Sequence, residues 1–260
     1  MRGWIIYNKD DAKRNSNYIQ WYIDKFAKEN VSLKLIYTDE IDYLDLPNFA
    51  IVRAIRPDIT LKLENLGVKC FNNSFVSKIA NDKALAYKYL SENNIEILPT
   101  YYTIDQIKEY PVVIKPKDSH GGDRVNMANS YNELMSIMPQ YNGDNYVIQS
   151  VASDKGKDVR VYVIGNKIIT AMLRESKTDF RSNFCLGGSA SVYNLSNEEI
   201  DKVKSIINLF NFDFVGIDFI FNNGKIIFNE IEDVVGSRMV YTYTDIDIVD
   251  LYIKYILQKL

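Results

Sequence analysis

Short apolar runs and helical spacings of apolar residues alternate along the first part of the chain. Strands followed by helices in this manner predict a small parallel α/β unit, which we place at residues 1–76. The predicted strands are Trp4–Tyr7, Ser32–Tyr37, Phe49–Val52 and a short one within residues 67–72, and the predicted helices cover residues 15–29 and Pro57–Leu66.

The pattern changes after residue 80, where strands come in antiparallel pairs. Two apolar runs flank Gly165-Asn166 and predict a hairpin, and a second hairpin follows near the C-terminus. Strands are also predicted around Lys115, at Tyr146–Val151 and at residues 101–103. One predicted helix begins at Asp82, and three others cover Ser130–Met138, Asn197–Phe210 and Ile246–Leu257.

Three carboxylates interrupt the apolar pattern of the C-terminal hairpin. Asp218 lies in its first strand, and Glu230 and Glu232 lie in its second. A charge inside a buried sheet costs several kcal/mol unless it is compensated, and a bound cation is the usual compensation for several like charges. Carboxylate oxygens suit Mg²⁺. The alternative is that Glu232 and Asp233 lie at an exposed strand end.

The turn of this hairpin decides whether the three acids share a face. A three-residue loop at residues 222–224 would pair Asp218 with Phe228, and Glu230 and Glu232 would then lie on the same face as Asp218. A two-residue loop shifts the register by one and moves Asp218 to the opposite face. We therefore predict the three-residue loop, with Gly224 in the left-handed conformation.

Lys115 ends an apolar strand and precedes a loop that contains Gly121 and Gly122. Such a lysine can hold a nucleotide phosphate while the glycines let backbone N–H groups approach the anion. The Gly-Lys-Ser/Thr ending of a Walker A loop is missing. The alternative is an edge or snorkelling lysine. His120, in the same loop, is interpreted as an exposed or phosphate-adjacent residue.

Arginines accompany the acidic cluster. Arg160 and Arg174 lie on the two strands of the first hairpin, and Arg181 and Asn183 follow. Arginine binds carboxylates and phosphates through paired hydrogen bonds and keeps its charge when buried. These residues suit an anionic ligand held beside a metal. The alternative is a set of surface ion pairs with neighbours such as Asp158.

The motifs along the chain are, in order, Asp82-Lys83, Val112–Pro116, the glycine loop, Val147–Gln149, Asp158–Arg160, Arg174, Arg181–Asn183, Gly216–Asp218 and Asn229–Glu232. Their order resembles that of ATP-grasp enzymes, over about residues 80–240. The similarity is to the glutamate-ligase-like branch and more distantly to D-alanine–D-alanine ligase and glutathione synthetase. It implies an α/β and α+β fold in which a Rossmann-like domain at 1–76 precedes an ATP-grasp domain at 77–260. The latter would divide into a small lid-like subdomain at about 77–148 and a metal and substrate subdomain at about 149–260.

The resemblance implies a role for individual residues. ATP would be held by Lys83, Lys115, the loop glycines Gly121 and Gly122, the hinge residues Gln149 and Val151, and Asp154 at the ribose. One or two Mg²⁺ ions, or Mn²⁺, would be held by Asp218, Glu230 and Glu232. The phosphoryl and acyl groups would be oriented by Arg160, Arg174 and Asn183, and a substrate carboxylate would be bound by Arg238.

Two positions and one segment depart from the family pattern. Ser150 follows Gln149 where the hinge usually has Glu, and Glu232 stands at a metal position that is commonly Asn. Glu still supplies oxygen ligands, so metal binding should survive. Residues 233–239 replace the usual Ser-Pro-Gly-like ending, which leaves the second substrate unassigned.

The activity implied is ATP-dependent amide formation through an acyl phosphate, on a small amino acid or short peptide. One alternative is modification of a ribosomally made peptide or protein, by residue addition or side-chain ring closure. The other is a nucleotide-binding module without catalysis. Competent residues at every proposed phosphate and metal position argue against the last alternative.

Composition limits the partners and the compartment. Among 260 residues, 47% are hydrophobic, which supports a sizeable core, and 31 basic against 34 acidic residues give a net charge of −3. We therefore expect neither nucleic acid nor a membrane as partner. The apolar run at the N-terminus is too short, and polar residues follow too early, for a signal peptide. Cys70 and Cys185 suggest neither disulfides nor a zinc site, so we expect a cytoplasmic protein. The oligomeric state stays open, a homodimer being one option.

Overall fold

A parallel four-stranded sheet forms the N-terminal part of this computed structural model, which describes residues 1–119, 124–176 and 189–260. Its strand order is β2–β1–β3–β4, and the predicted parallel α/β unit is thereby confirmed. Apolar side chains on both sheet faces are buried, as in sheets covered by helices. The elements are β1 (Arg2–Tyr7), α1 (Lys9–Arg14), α2 (Ser16–Lys28), β2 (Ser32–Tyr37), β3 (Phe49–Val52), α3 (Pro57–Asn65) and β4 (Lys69–Phe71).

A second, antiparallel sheet of four strands carries the predicted phosphate lysine. Two short helices lead into it, and the side chain of Asp82 caps the second of them as expected for an N-cap. The elements are α4 (Ser74–Ala80), α5 (Lys83–Glu92), β5 (Thr100–Tyr101), β6 (Val112–Lys115), β7 (Asn126–Ala128), α6 (Tyr131–Ile137) and β8 (Val147–Ser150). The strand order is β5–β8–β6–β7.

The third sheet has five antiparallel strands and carries the acidic hairpin. The elements are β9 (Asp154–Ile164), β10 (Lys167–Glu175), β11 (Ser189–Val192), α7 (Asn197–Ile207), β12 (Phe214–Asn222), β13 (Lys225–Glu232), α8 (Arg238–Tyr243) and α9 (Ile248–Lys259). In the order β11–β10–β9–β12–β13, β9 of the first hairpin pairs with β12 of the second hairpin.

Alternate side chains of β9 enter two different cores. Val161 packs with Val203 and other residues of α7, whereas Tyr162 packs with residues of the N-terminal sheet and of α9 such as Ile253. The period-2 pattern of a strand buried on both faces explains this division. One core therefore continues from the N-terminal sheet to the five-stranded sheet.

Several elements were not predicted, namely α1, α4, β7, β11 and α8. Each is six residues or fewer except α4, which has seven, and such segments are too short to display a clear period. The predicted division at 76/77 falls inside α4 and remains a prediction. Within the described ranges, none of the helices is long and apolar enough to cross a bilayer.

Candidate active site

The acidic hairpin has a two-residue turn, so the predicted three-residue loop is wrong. Asn222 pairs with Lys225, and Asn223 and Gly224 both have positive φ, 52° and 72°. Both central residues then adopt the left-handed conformation that a type I′ hairpin turn requires. The predicted pairing of Asp218 with Phe228 is also wrong.

A β-bulge restores the register that the two-residue turn would have lost. Phe219 pairs with Phe228, but Asp218 pairs with Glu230, so Asn229 is the extra residue. A bulge re-aims the side chains that follow it. Ile231 therefore enters the core and Glu230 does not.

The three acids come together as predicted, by this different route. Glu230 lies directly opposite Asp218. Glu232 lies opposite Gly216, which is two residues from Asp218 on β12. One carboxylate oxygen from each of the three acids lies within 4.8 Å of the other two. Asp233 is 6% exposed and the side chain of Glu232 is 20% exposed, so the alternative of an exposed strand end is wrong.

Two buried arginines supply much of the charge compensation that was first attributed to a cation. Arg160 Nε and Nη2 donate to the two carboxylate oxygens of Asp218 at 2.7 and 2.6 Å, and Nη2 also donates to Glu232 at 2.6 Å. Arg174 Nη2 donates to Asp218 at 2.7 Å and, with Nε, holds Asp158 at 2.6 Å. The alternative of surface ion pairs is wrong for both arginines, because both are buried.

The arginines separate the pKa values of the acids. Burial opposes ionisation of Asp218, but the adjacent guanidinium groups outweigh it and lower its pKa to about 2. Burial raises the pKa of Glu232 to about 6, the charge of Arg160 opposes that rise, and the neighbouring acids add to it. At neutral pH the cluster is therefore anionic.

Oxygen donors of this cluster fit a hard divalent cation. Asp218 accepts three N–H bonds of roughly four that a carboxylate can accept, and Glu232 accepts one at Oε1. Oxygen acceptors thus remain on the acids. With carboxylate oxygens only, Asp218, Glu230 and Glu232 would hold Mg²⁺ or Mn²⁺.

Two lysines from different elements reach the same cluster. Lys83, the first residue of α5, donates to the carbonyl oxygen of Ser119 and lies 3.3 Å from Glu230 Oε2. Lys115, at the end of β6, donates to Gln149 Oε1 at 3.1 Å and Asn229 Oδ1 at 3.3 Å. Lys115 is 6% exposed, so it is neither an edge nor a snorkelling lysine.

Lys115 has an unusual protonation equilibrium for a lysine. Burial, together with the positive charge of Lys83, lowers its pKa to about 7, and the charge of Glu230 only partly opposes this. Its amino group also lies 5.1 Å from the centre of the Tyr87 ring. A group with this pKa gains a proton readily when an anion arrives beside it.

A cleft between the two antiparallel sheets is lined by both lysines and, of the three acids, by Glu230. Its walls include the predicted hinge residues Gln149 and Val151, and Ser150 between them. Asp154 also lines the cleft, while its carboxylate accepts hydrogen bonds from Gly224 N at 2.8 Å and Ser153 Oγ at 3.1 Å. The other polar lining residues are Lys83, Lys115, Ser119, Lys155, Lys157, Asp158, Asn229 and Glu230.

The predicted roles of several residues stay predictions. Gly121, Gly122 and His120, and likewise Arg181 and Asn183, lie outside the described residues. Arg238 is exposed at the first position of α8, six residues after Glu232.

Asn229 is a site residue that sequence reasoning missed, since it has no predicted role within the motif Asn229–Glu232. Its amide oxygen accepts a hydrogen bond from Lys115, and the bulge brings it to the cleft beside Glu230. Two consecutive polar residues, Asn229 and Glu230, between Phe228 and Ile231 were the available signal. Strict alternation cannot place both core residues on one face without a bulge.

Comparisons with known proteins agree on one family. A profile described as RimK-like ATP-grasp domain matches residues 80–256. A probable alpha-L-glutamate ligase of Maridesulfovibrio salexigens is 30% identical over 212 residues, covering 76% of this chain and 70% of the relative. The uncharacterized protein MG011 of Mycoplasma genitalium is 28% identical over 265 residues, covering 98% of this chain and 92% of the relative.

Solved structures agree in fold. The crystal structure of D-alanine–D-alanine ligase from Bacillus anthracis complexed with ATP superposes with a TM-score of 0.75 at 16% identity. The superposition covers 99% of this chain and 96% of that enzyme. The similarity therefore extends over the N-terminal sheet as well as over the two antiparallel sheets.

Proposed function

The chain belongs to the RimK-like ATP-grasp family of ligases, and on this basis we propose that it joins a carboxylate to an amine at the expense of ATP. The products would be an amide, ADP and phosphate. The proposed substrates are an amino acid or short peptide as carboxylate and an amine of similar size.

The observation that carries this proposal is the meeting of basic and acidic groups from both sides of the cleft. Lys83 lies 3.3 Å from Glu230, and Lys115 binds Asn229, the residue before Glu230. Phosphates beside the lysines would thus be adjacent to the metal-binding acids, as transfer of a phosphoryl group requires. Buried charges contribute little to the stability of a fold, so a cluster of this size is expected where a ligand is bound.

Each group has a proposed place. The phosphates of ATP would contact Lys83 and Lys115, with Gly121 and Gly122 above them, and the base and ribose would contact Gln149, Val151 and Asp154. Asp218, Glu230 and Glu232 would hold Mg²⁺, which when bound neutralises charge on the phosphate oxygens. Arg160, Arg174 and Asn183 would orient the transferred group, and Arg238 would bind a substrate carboxylate.

The chemistry needs positioning more than covalent participation by the protein. The substrate carboxylate attacks the γ-phosphorus of ATP, and the acyl phosphate and ADP form. The amine then attacks the acyl carbon, loses a proton, and expels phosphate. Lys115, protonated when phosphate lies beside it, and Arg160 would supply positive charge to the oxygens on which negative charge grows. Arg160 reaches them only if it exchanges part of its contact with Asp218 or Glu232.

Glutamate is the first compound to test, because a relative 30% identical is described as a probable alpha-L-glutamate ligase. Modification of a ribosomally made peptide remains the second candidate. Both candidates use the same acyl-phosphate chemistry and differ only in the size of the carboxylate or amine component.

The experiment is ATP turnover by the purified chain with Mg²⁺ against a panel of amino acids and peptides. We expect ADP release that depends on one panel member, and losses of about 100-fold or more in Glu230→Gln and Lys115→Ala. Glu198→Gln, an exposed acid on α7, is the matched control and should turn over like the wild type. Unchanged turnover in both site variants would refute the assignment, and ATP binding without any turnover would favour the non-catalytic alternative.

A further inference from the structure

The segment Asp233–Ser237, here the connecting segment, links Glu232 at the end of β13 to Arg238 at the start of α8. Side chains from elsewhere in the fold hydrogen-bond to four of its five residues. The bonds are Asn72 Nδ2 to Asp233 O at 3.1 Å, Asn81 Nδ2 to Asp233 Oδ1 at 3.0 Å, Arg53 Nη2 to Val235 O at 2.9 Å, Tyr162 Oη to Gly236 O at 3.0 Å, and the hydroxyls of Tyr18 and Ser237 at 2.8 Å.

Arg53 is the unexpected member of this set. It follows β3 at the carboxyl edge of the parallel sheet and is 7% exposed. Its hydrogen-bond partners are neutral, namely Val235 O and Tyr7 Oη, the latter at 3.3 Å, and the Tyr18 ring lies 5.7 Å away. Within the described ranges no carboxylate forms an ion pair with it. A buried guanidinium outside an ion pair is costly. The nearby carboxylate is that of Asp233, in the connecting segment itself, and the charge of Arg53 opposes the rise that burial causes in the pKa of Asp233.

The connecting segment packs against residues that adjoin the acidic cluster. A Cβ atom built on Gly216 would lie 2.8 Å from Val235 Cγ2 and 3.4 Å from Arg160 Cδ. Val235 therefore packs over Gly216, the residue opposite Glu232, and beside the stem of Arg160. A shift of Val235 would change the packing around both Gly216 and Arg160.

We propose that Arg53 is a positioning residue that fixes the distance and direction from Glu232 to Arg238. The inference rests on the proposed function, in which Glu232 binds metal and Arg238 binds the substrate carboxylate. Arg53 holds the middle of the connecting segment from the N-terminal sheet, and Tyr18 holds its end. The N-terminal sheet thereby sets where the carboxylate lies relative to the phosphates. Reacting groups misplaced by about 1 Å can lose about 100-fold in rate.

The test compares Arg53→Met with the matched control Arg56→Met. Arg56 lies three residues further along and is paired at the surface with Asp58. Hydrogen–deuterium exchange is followed in peptides covering residues 233–243. We expect about tenfold faster exchange there in Arg53→Met and wild-type exchange in Arg56→Met.

Kinetics separate positioning from general support of the fold. In Arg53→Met the KM for the carboxylate substrate should rise about tenfold, while the KM for ATP and the Kd for Mg·ATP stay within about twofold of wild type. Tyr18→Phe, which removes one hydroxyl and keeps the ring, should change the same quantities in the same direction by less. Tyr18→Phe also tests the proposal if Arg53→Met folds poorly.

Wild-type exchange in 233–243 for both Arg53→Met and Tyr18→Phe would overturn the proposal. An equal rise in the KM for ATP would also overturn it, because the effect would then not be confined to the carboxylate end. If the wild type itself fails to bind Mg·ATP, the proposed function is wrong, and the exchange comparison still decides whether Arg53 orders the segment.

Discussion

At the residue scale, the site consists of charged side chains whose ionisation depends on their neighbours. Asp218 is held ionised by Arg160 and Arg174, whereas Glu232 has a pKa raised to about 6. Lys115 has a pKa of about 7 because it is buried near Lys83. The cleft is therefore prepared for an anion next to a cation, and its charge changes close to neutral pH.

The proton on Lys115 makes a prediction about ATP binding. Lys115 carries its proton below pH 7 and loses it above, while ATP phosphates would stabilise the charged form. ATP binding at pH 8 should thus take up nearly one proton, and affinity should fall by up to about tenfold per pH unit above 7. Calorimetry of Mg·ATP binding in two buffers of different ionisation enthalpy measures the uptake.

Two variants control the proton measurement. Lys115→Met should bind ATP more weakly with no proton uptake attributable to this residue, and Lys225→Met, an exposed lysine, should match the wild type. Equal proton uptake in the wild type and Lys115→Met would contradict the account of Lys115.

At the element scale, turn and bulge together determine which side chains reach the cleft. The two-residue turn at Asn223-Gly224 alone would leave Asp218 facing away from Glu230. The extra residue Asn229 corrects the face, and Ile231 then joins the core. The acids converge because two local irregularities offset each other.

The turn carries its own prediction about stability. Gly224 has φ +72° with no neighbour within 4 Å of an added Cβ, so Gly224→Ala tests backbone conformation alone. We expect a loss of about 1 kcal/mol in the free energy of unfolding, measured by urea denaturation. Gly236 also has open space but no positive φ, so Gly236→Ala should cost much less. Equal losses in the two variants would mean that the turn does not require the left-handed conformation.

Periodicity predicted regular elements well and irregular ones poorly. β2 and β3 have the predicted bounds because each is a full apolar or alternating strand. The Asn-Gly pair at 223–224 is a strong signal for a two-residue turn. The predicted three-residue loop brings the acids together without a bulge, whereas the observed turn does so only with the bulge at Asn229. β7 pairs over only three residues and is defined by its partner β6, a tertiary contact that a single sequence does not display.

Ion-pair partners were predictable only as groups. The sequence indicates several arginines near several acids, and the resemblance adds their order along the chain. Which guanidinium holds which carboxylate depends on strand pairing, since Asp218 lies opposite Arg160 and Asp158 lies opposite Arg174. Arg53 and Tyr18 contact residues of the connecting segment that are more than 180 positions away in sequence. Neither the helical nor the strand period of the sequence indicates such contacts.

At the scale of the whole molecule, the cleft lies between two antiparallel sheets while a shared core ties one of them to the N-terminal sheet. Lys115 and Gln149 line the cleft from the four-stranded sheet, and Glu230 of the acidic cluster lines it from the five-stranded sheet. A nucleotide in the cleft would therefore be held from both sides, as expected for an ATP-grasp ligase. The central claim is that the three acids bind the metal that accompanies ATP.

Titration with Mn²⁺ in the presence of ATP, followed by electron paramagnetic resonance, tests this claim most directly. We predict one or two tightly bound Mn²⁺ ions per wild-type chain, displaced by Mg²⁺, and an affinity weakened about tenfold or more in Glu230→Gln. Glu198→Gln should bind as the wild type does. Wild-type Mn²⁺ stoichiometry and affinity in Glu230→Gln, or no ATP-dependent binding in the wild type, would contradict the account.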